Sequence, residues 1–294
     1  MTEGDWLAER FEENRGHLRA VAYRMLGSLN DADDAVQESW LRLSRNGAEG
    51  VDNLGGWLTT VVARVCLDML RSRNSRKEEP LERPAAPEPR APRRQGIDPE
   101  VEAQMADAVG LALLVVLDRL APAERLAFVL HDLFDLPFEE IAGIVGRSPV
   151  AARQLASRAR RRVQGVKASP GANLQGQRKT VEAFLAALRG GDLQGLMAVL
   201  DPDVVIRVDE ASAQPGMPLE LRGAEEWAPH AMKAGKGARL ARVALVDGTV
   251  GIVVAPRGRL FRVLRFAFAE GRIAGMEVIG DPQRLQATEV AVLE

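Results

Sequence analysis

Cysteine is almost absent: Cys66 is the single one among 294 residues. A lone thiol supports neither an intrachain disulfide framework nor a zinc cluster, and it is the usage expected of a reducing cytoplasm. Histidine is nearly as scarce. His17, His131 and His230 are scattered without an HExxH spacing, which argues against zinc hydrolase chemistry, and no metal or cofactor is called for. Aromatic residues make up 4% of the chain, so few rings are on hand to stack on exposed bases. Long hydrophobic runs are missing too. The longest uncharged apolar run, Ala108–Leu117, is fenced by Asp107 and Asp118, far short of the roughly 20 residues a membrane span needs. The opening MTEGDWLAER holds no apolar signal core, so the expectation is a cytoplasmic chain with no membrane partner. Nor does one sign of charge dominate. Lys and Arg total 39, Asp and Glu total 41, and the net charge is −2. That balance excludes an overall polycation but allows local basic patches.

What is present falls into blocks. At roughly 150 residues per domain the length suggests about two domains, or three small ones. Residues 10–75 carry helical periodicity. Pro80, Pro84, Pro87, Pro89, Pro92 and Pro99 then interrupt any regular pattern, because proline removes a backbone donor and disfavours helix at the preceding residue. Helical periodicity returns over 107–165, and Pro170, Gly171 and Gly176 mark a second break. The expected layout is a helical domain over 1–77, a linker over 78–106, a second helical domain over 107–167, a short linker over 168–176 and a third domain over 177–294.

In the first block, Ala32, Ala35, Val36, Ser39, Trp40 and Leu43 follow the three–four spacing of one buried helix face, and Trp57, Leu58, Val61, Val62, Val65 and Met69 form another. Both stripes read as plain helical core. The other faces are more informative. Asp34, Gln37, Glu38 and Leu41 share a face of the first helix; Arg64, Asp68, Arg71, Arg73 and Asn74, continued by Arg76 and Lys77, make the second end in a basic tail. Asp68 could equally be an ion-pair partner within one turn of Arg64 or Arg71.

The central block predicts a helix-turn-helix. Pro122 opens a helix that runs to about Phe134, and Asp135-Leu136-Pro137 breaks it. A short helix with Phe138, Ile141, Ala142 and Val145 inward ends at Gly146; Ser148 caps the next, with Pro149 in its first position. There Ala151, Leu155, Ala159 and Val163 are the expected buried line. Arg153, Gln154, Ser157, Arg158 and Arg161 lie opposite. From Arg147 to Lys167 every ionisable residue is basic. A solvated basic face would also give that bias, but a capped basic helix behind a glycine turn is suited to the major groove, where arginine binds phosphate and arginine or glutamine pairs with base edges.

The stretches DADDAVQESWLRL (31–43), GWLTTVVARVCLDMLRSR (56–73) and LPFEEIAGIVGRSPVAARQLASRARRRV (136–163) resemble, in order and spacing, regions 2 and 4 of extracytoplasmic-function sigma factors. The resemblance implies a promoter-specific initiation factor that partners core RNA polymerase and promoter DNA. It assigns polymerase docking to Asp34, Gln37, Glu38 and Leu41. It assigns the −10 element to Arg64, Asp68, Arg71, Arg73 and Asn74. The −35 element falls to Ser148, Arg153, Gln154, Ser157, Arg158 and Arg161, while Arg160 and Arg162 touch phosphate or water.

Beyond residue 176 the pattern is helices first and strands after. Val204, Ile206 and Val208 alternate as a strand after an Asp201-Pro202-Asp203 turn. Asp247-Gly248 and Glu270-Gly271 each sit between strand patterns as hairpin turns. The expected fold is therefore multidomain: two all-α domains, a helical bundle and a helix-turn-helix, followed by an α+β cone with a curved antiparallel sheet. GGDLQGLMAVLDPDVVI (190–206) and GDPQRL (280–285) resemble the SnoaL-like extension of the SigJ-type subgroup of these sigma factors. That likeness implies regulation in cis through Asp281, Pro282, Arg284 and Leu285, with an intramolecular contact to the sigma domains. The subgroup's glycine-rich motif after Val208 is replaced here by DEASAQPG (209–216). Asp209, Glu210, Arg222, Trp227 and His230 are candidates to line a cavity, though exposed polar loop residues fit the same pattern. Two other readings stand beside the main one: a ligand-sensing helix-turn-helix regulator, and an enzyme with a cyclase- or isomerase-like C-terminal domain. A non-enzymatic chain is the expectation.

Overall fold

The computed structural model describes residues 3–46, 51, 53–78, 110–165, 173–213 and 219–293. The expected linker 78–106 lies outside these apart from Glu78, as does 166–172, which holds the start of the second linker. The chain divides into two units, residues 1–105 with 117–161, and residues 106–116 with 162–294.

In the first unit, α1 (Glu3–Leu26), α2 (Leu29–Asn46) and α3 (Leu54–Glu78) form a three-helix bundle. Gly27 turns the chain at φ 73°, and the Ser28 hydroxyl accepts from the Asp31 N–H at the start of α2. Leu18, Val21, Met25, Leu43, Leu58 and Val62 are fully buried between the helices. The two apolar stripes read from the sequence face this core, with Trp40 and Trp57 half-buried. The Trp40 ring lies 5.1 Å from that of Phe11. Ser39 is buried without cost because its hydroxyl donates to the Ala35 carbonyl at 2.8 Å.

Helix α4 (Leu111–Asp118) precedes α5 (Pro122–Phe128), α6 (Phe138–Val145) and α7 (Pro149–Gln164). Two expectations need correction. The helix read as continuous to Phe134 changes at Val129 into a π-helical turn over Val129–Leu133. The chain must leave helical geometry before Pro137, and it does so at Asp135, which sits at φ 54°. On α7 the buried residues are Ala152, Leu155, Ala156 and Ala159, not the line through Ala151 and Val163. A strict four-residue line drifts about 40° around a helix at every step, so a straight packing stripe must mix three- and four-residue steps.

In the second unit, α8 (Leu174–Gly190) begins inside the span expected as linker. Asn173 makes this possible by accepting from the Gly176 N–H. Gly191, at φ 67°, ends α8, and Asp192 caps α9 (Leu193–Val199) through the Gly195 N–H. The remaining elements are β1 (Leu200–Val208), β2 (Glu220–Arg222), α10 (Ala224–Ala234), β3 (Ala241–Val246), β4 (Thr249–Val254), β5 (Arg262–Ala269), β6 (Arg272–Ile279), α11 (Pro282–Ala287) and β7 (Val290–Ala291). They form one seven-stranded sheet in the order β2-β1-β6-β5-β4-β3-β7. Helices α8, α9 and α10 bury Val181, Phe184, Leu196 and Trp227 against Ile206, Phe266 and Ile273, with Phe184 stacked on Trp227 at 5.8 Å. This is the expected α+β architecture. Both hairpin turns are present, with Asp247 at φ 47° and Gly248 at 82°, and Glu270 at 49° and Gly271 at 80°. Positive φ at both central residues matches the strand twist.

The sheet departs from the expectation in two places. It is not wholly antiparallel, because β1 runs parallel to β6. Strands β3 to β6 alternate through hairpins, and the α10 crossover sets their direction relative to β1. Asp201-Pro202-Asp203 is no separate turn but an irregularity within β1, where the register shifts between Leu200 and Val205. Pro202 has no N–H to give a ladder, and the Asp203 N–H turns to the Asp201 carboxylate at 2.9 Å.

One carboxylate ties the end of β1 to the end of β6. Asp209 accepts from the Ser212 N–H at 2.9 Å and from the Gly280 and Asp281 N–H groups at 2.8 Å each. Burial opposes its charge, yet these donors hold its pKa below the ordinary value. Its stabilisation is therefore complete above the unfolded carboxylate pKa and is lost as pH falls through the lower folded value. Asp209→Ala is expected to cost about 1–3 kcal/mol at pH 7. In urea titrations the gap to the parent should narrow between pH 6 and pH 3, and a pH-independent gap would contradict this account.

Candidate nucleic-acid interface

The helix-turn-helix is built by backbone geometry. Gly146 takes the left-handed conformation at φ 69°, closing α6 with its N–H on the Ala142 carbonyl. The Ser148 hydroxyl accepts from the Ala151 N–H at 3.2 Å, and Pro149 opens α7. Ser148 thus sits where a cap is needed. With Ala152, Leu155, Ala156 and Ala159 inward, Arg153, Gln154, Ser157, Arg158 and Arg161 are all exposed. Their spacing puts them on one face over three turns. Arg153 lies over the Phe138 ring at 5.2 Å, which orients it without neutralising it. Arg158 differs: it bonds Glu124 at 2.9 Å, and that carboxylate is only 8% exposed. Arg160 pairs with Asp132 at 2.7 Å and so joins α7 to the π-helical turn, while its side chain stays partly exposed.

On α3, Arg64, Asp68 and Arg71 share an exposed face and Asn74 is exposed beyond them. Arg64 donates to the Gly143 carbonyl of α6 at 3.3 Å. Arg73 is not brought to that face; it pairs with Asp31 of α2 at 2.8 Å. Asp68 pairs with neither Arg64 nor Arg71 among the described residues. The side chains of Arg76 and Lys77 lie outside the described set. On α2, Asp34, Gln37 and Leu41 are exposed and Glu38 is half-exposed, bonded to Arg42 at 3.1 Å. This face is acidic and so repels phosphate rather than attracting it.

Sequence reasoning missed Arg125. It is 2% exposed, and its guanidinium donates twice to the Arg24 carbonyl, at 3.2 and 3.0 Å, with Asp118 at 3.8 Å. Burial lowers its pKa to about 10, so it is charged at neutral pH. The signal available was an arginine on the apolar side of α5, beside Leu126 and Val129. Below it lies Cys66, whose thiol burial pushes up to about 12.

In the second unit, Asp281 caps α11 by accepting from the Arg284 N–H at 2.9 Å, and Pro282 stands at its start. Arg284 bonds Glu277, and Leu285 is buried. Of the cavity candidates, Trp227 and His230 line a cavity of about 180 Å³. Asp209 is used by the backbone, Glu210 is exposed, and Arg222 pairs outside with Glu220 at 3.1 Å.

Two compact helical blocks, the second a helix-turn-helix, are the anatomy of a sigma-70-type factor. Residues 10–76 match the Sigma-70 region 2 family, and residues 110–163 match Sigma-70, region 4. A probable ECF RNA polymerase sigma factor, SigI, from Mycobacterium tuberculosis is 33% identical over 286 residues, covering 97% of each chain. The ECF RNA polymerase sigma factor SigJ from the same organism is 36% identical over 287 residues, covering 93% of this chain and 91% of that one. The crystal structure of M. tuberculosis SigJ covers 94% of this chain and 97% of its own at 33% identity, with a TM-score of 0.46. The chain belongs to the extracytoplasmic function (ECF) RNA polymerase sigma factor family. Among the described residues no helix is long and apolar enough to cross a membrane.

Two outcomes follow from the buried groups. Arg125→Met leaves the Arg24 carbonyl without its donor and is expected to cost about 2 kcal/mol, read as a lower urea midpoint; an unchanged midpoint would show the bond to be dispensable. Cys66 should resist a thiol-disulfide reagent at pH 8 in the native protein and release one equivalent once unfolded, because only the thiolate reacts.

Proposed function

We propose that this protein directs core RNA polymerase to its promoters, with α7 reading the −35 element, α3 engaging the −10 element and α2 docking on the polymerase. The observation that carries this is the exposed Arg153, Gln154, Ser157 and Arg161 face of a capped basic helix behind a tight turn. At about 1.5 Å per residue α7 is about 24 Å long, and its side chains can reach base edges and phosphates in a groove roughly 12 Å wide. The outward Asp34, Gln37 and Leu41 supply the docking face.

Arg64 and Arg158 hold protein partners, the Gly143 carbonyl and Glu124. In this reading they exchange these for DNA when polymerase engages the chain. The C-terminal unit adjusts activity in cis. Asp281 and Leu285 fold α11, and Pro282 and Arg284 are left exposed on it.

In vitro transcription from the promoter of its own operon, with purified core polymerase, tests this. The full chain should yield promoter-specific transcripts. Removing 170–294 should change their amount. Arg153→Ala should lower output at least about fivefold, the scale of one lost base contact, while leaving core binding unchanged. Duplex binding with neither core binding nor transcript would identify a ligand-sensing regulator instead.

A further inference from the structure

We infer that the C-terminal unit binds a small, mainly apolar molecule ending in a carboxylate, with its body in the cavity beneath α8 and α10 and its carboxylate on Arg262. This does not depend on the promoter-reading role of the helical domains.

The cavity holds about 180 Å³ and is walled largely by apolar side chains, among them Leu185, Trp227, Ile252 and Met276. An apolar void of about 150 Å³ is enough to bind benzene, so a ring with a short tail fits here. Pockets of this kind rely on an apolar wall and one or two placed polar groups. Arg262 is the charged one. It stands first on β5, two and four residues before Leu264 and Phe266, and so on the inward face of the strand. Leu264 lines the same cavity, and Phe266 packs on Phe184 in the core. An arginine in that row is out of place unless something binds it.

Nothing among the described residues does so. The Arg262 Nε is buried without a hydrogen-bond acceptor, and no carboxylate lies within ion-pair distance among the described residues. Asp209 is the acidic group whose charge reaches Arg262, but the N–H groups of Ser212, Gly280 and Asp281 occupy its oxygens. The side chain is half-buried, and its guanidinium lies over the Phe261 ring at 5.4 Å. Leaving such a donor unpaired is costly. A guanidinium edge offers two parallel N–H bonds to a carboxylate, and a single arginine suits one monovalent group. Phe261, 56% exposed, and the half-buried His230 complete the cavity wall. An apolar ligand would cover the exposed ring.

Titration of the full chain with 3-phenylpropanoate and with its neutral counterpart 3-phenylpropan-1-ol tests the inference, read by calorimetry and by the change in tryptophan emission, to which Trp227 in the cavity wall contributes. The carboxylate should bind at least tenfold more tightly than the alcohol. Arg262→Met should remove that preference and leave the alcohol's affinity within twofold. Ala231→Leu, which fills the cavity, should weaken both at least tenfold. Should Arg262→Met fail to unfold cooperatively, Arg262→Lys keeps the charge without the fork and should lose most of the preference. Equal affinity for acid and alcohol, unaltered acid binding in the Arg262 variants, or no binding of either compound at millimolar concentration would overturn the inference.

Discussion

The helical unit depends on one buried cation. Arg125 lies in the interior of an otherwise apolar contact, where a charge is tolerated only with its hydrogen bonds made. The acceptor is the carbonyl of Arg24, in the last turn of α1, where helix carbonyls lack intrahelical partners and carry the negative end of the helix dipole. One side chain thereby satisfies a helix terminus and fixes α5 to α1. Nearby, Arg24 lies over the Phe134 ring at 5.1 Å and His17 meets the same ring edge-on at 5.3 Å. Burial and then Arg24 lower the pKa of His17, so it packs here as a neutral imidazole, with its Nε2 beside the Thr59 hydroxyl at 3.2 Å.

That junction decides which basic side chains are available. Arginines in one sequence block have different fates because helix phase sets their directions. Arg153 and Arg161 point outward, Arg158 and Arg160 meet acids on α5 and the π-helical turn, and Arg73 holds α2. An arginine bound to a largely buried carboxylate must break that pair before it can meet phosphate, whereas one over an aromatic ring keeps its donors free. The C-terminal unit applies the same rule to an anion. Asp209 is spent on three backbone N–H groups that tie β1 to β6, and this leaves Arg262 beside the cavity without a carboxylate partner among the described residues.

Much of this was legible beforehand because it is local. Gly146, Ser148 and Pro149 are a turn, a cap and a first helical position in any context. Asp247-Gly248 and Glu270-Gly271 encode hairpins because their φ requirement is met within two residues. Errors arose where a neighbour distant in sequence decides the outcome. The buried face of α7 shifted by one residue, β1 found a parallel partner in β6, and the Asp201–Asp203 turn became an irregularity inside a strand.

The sequence by itself determined the order of the blocks, the capped basic helix, the outward face of α2 and the α-then-β plan of the C-terminal unit, since each follows from periodicity and turn chemistry over a few residues. Only the tertiary structure decided which charges are paired. Arg125 on the Arg24 carbonyl spans 101 residues, Asp209 on the Asp281 N–H spans 72 and Arg64 on the Gly143 carbonyl spans 79. A charge reveals its sign in the sequence, but its partner and hydration are fixed only when distant elements pack around it.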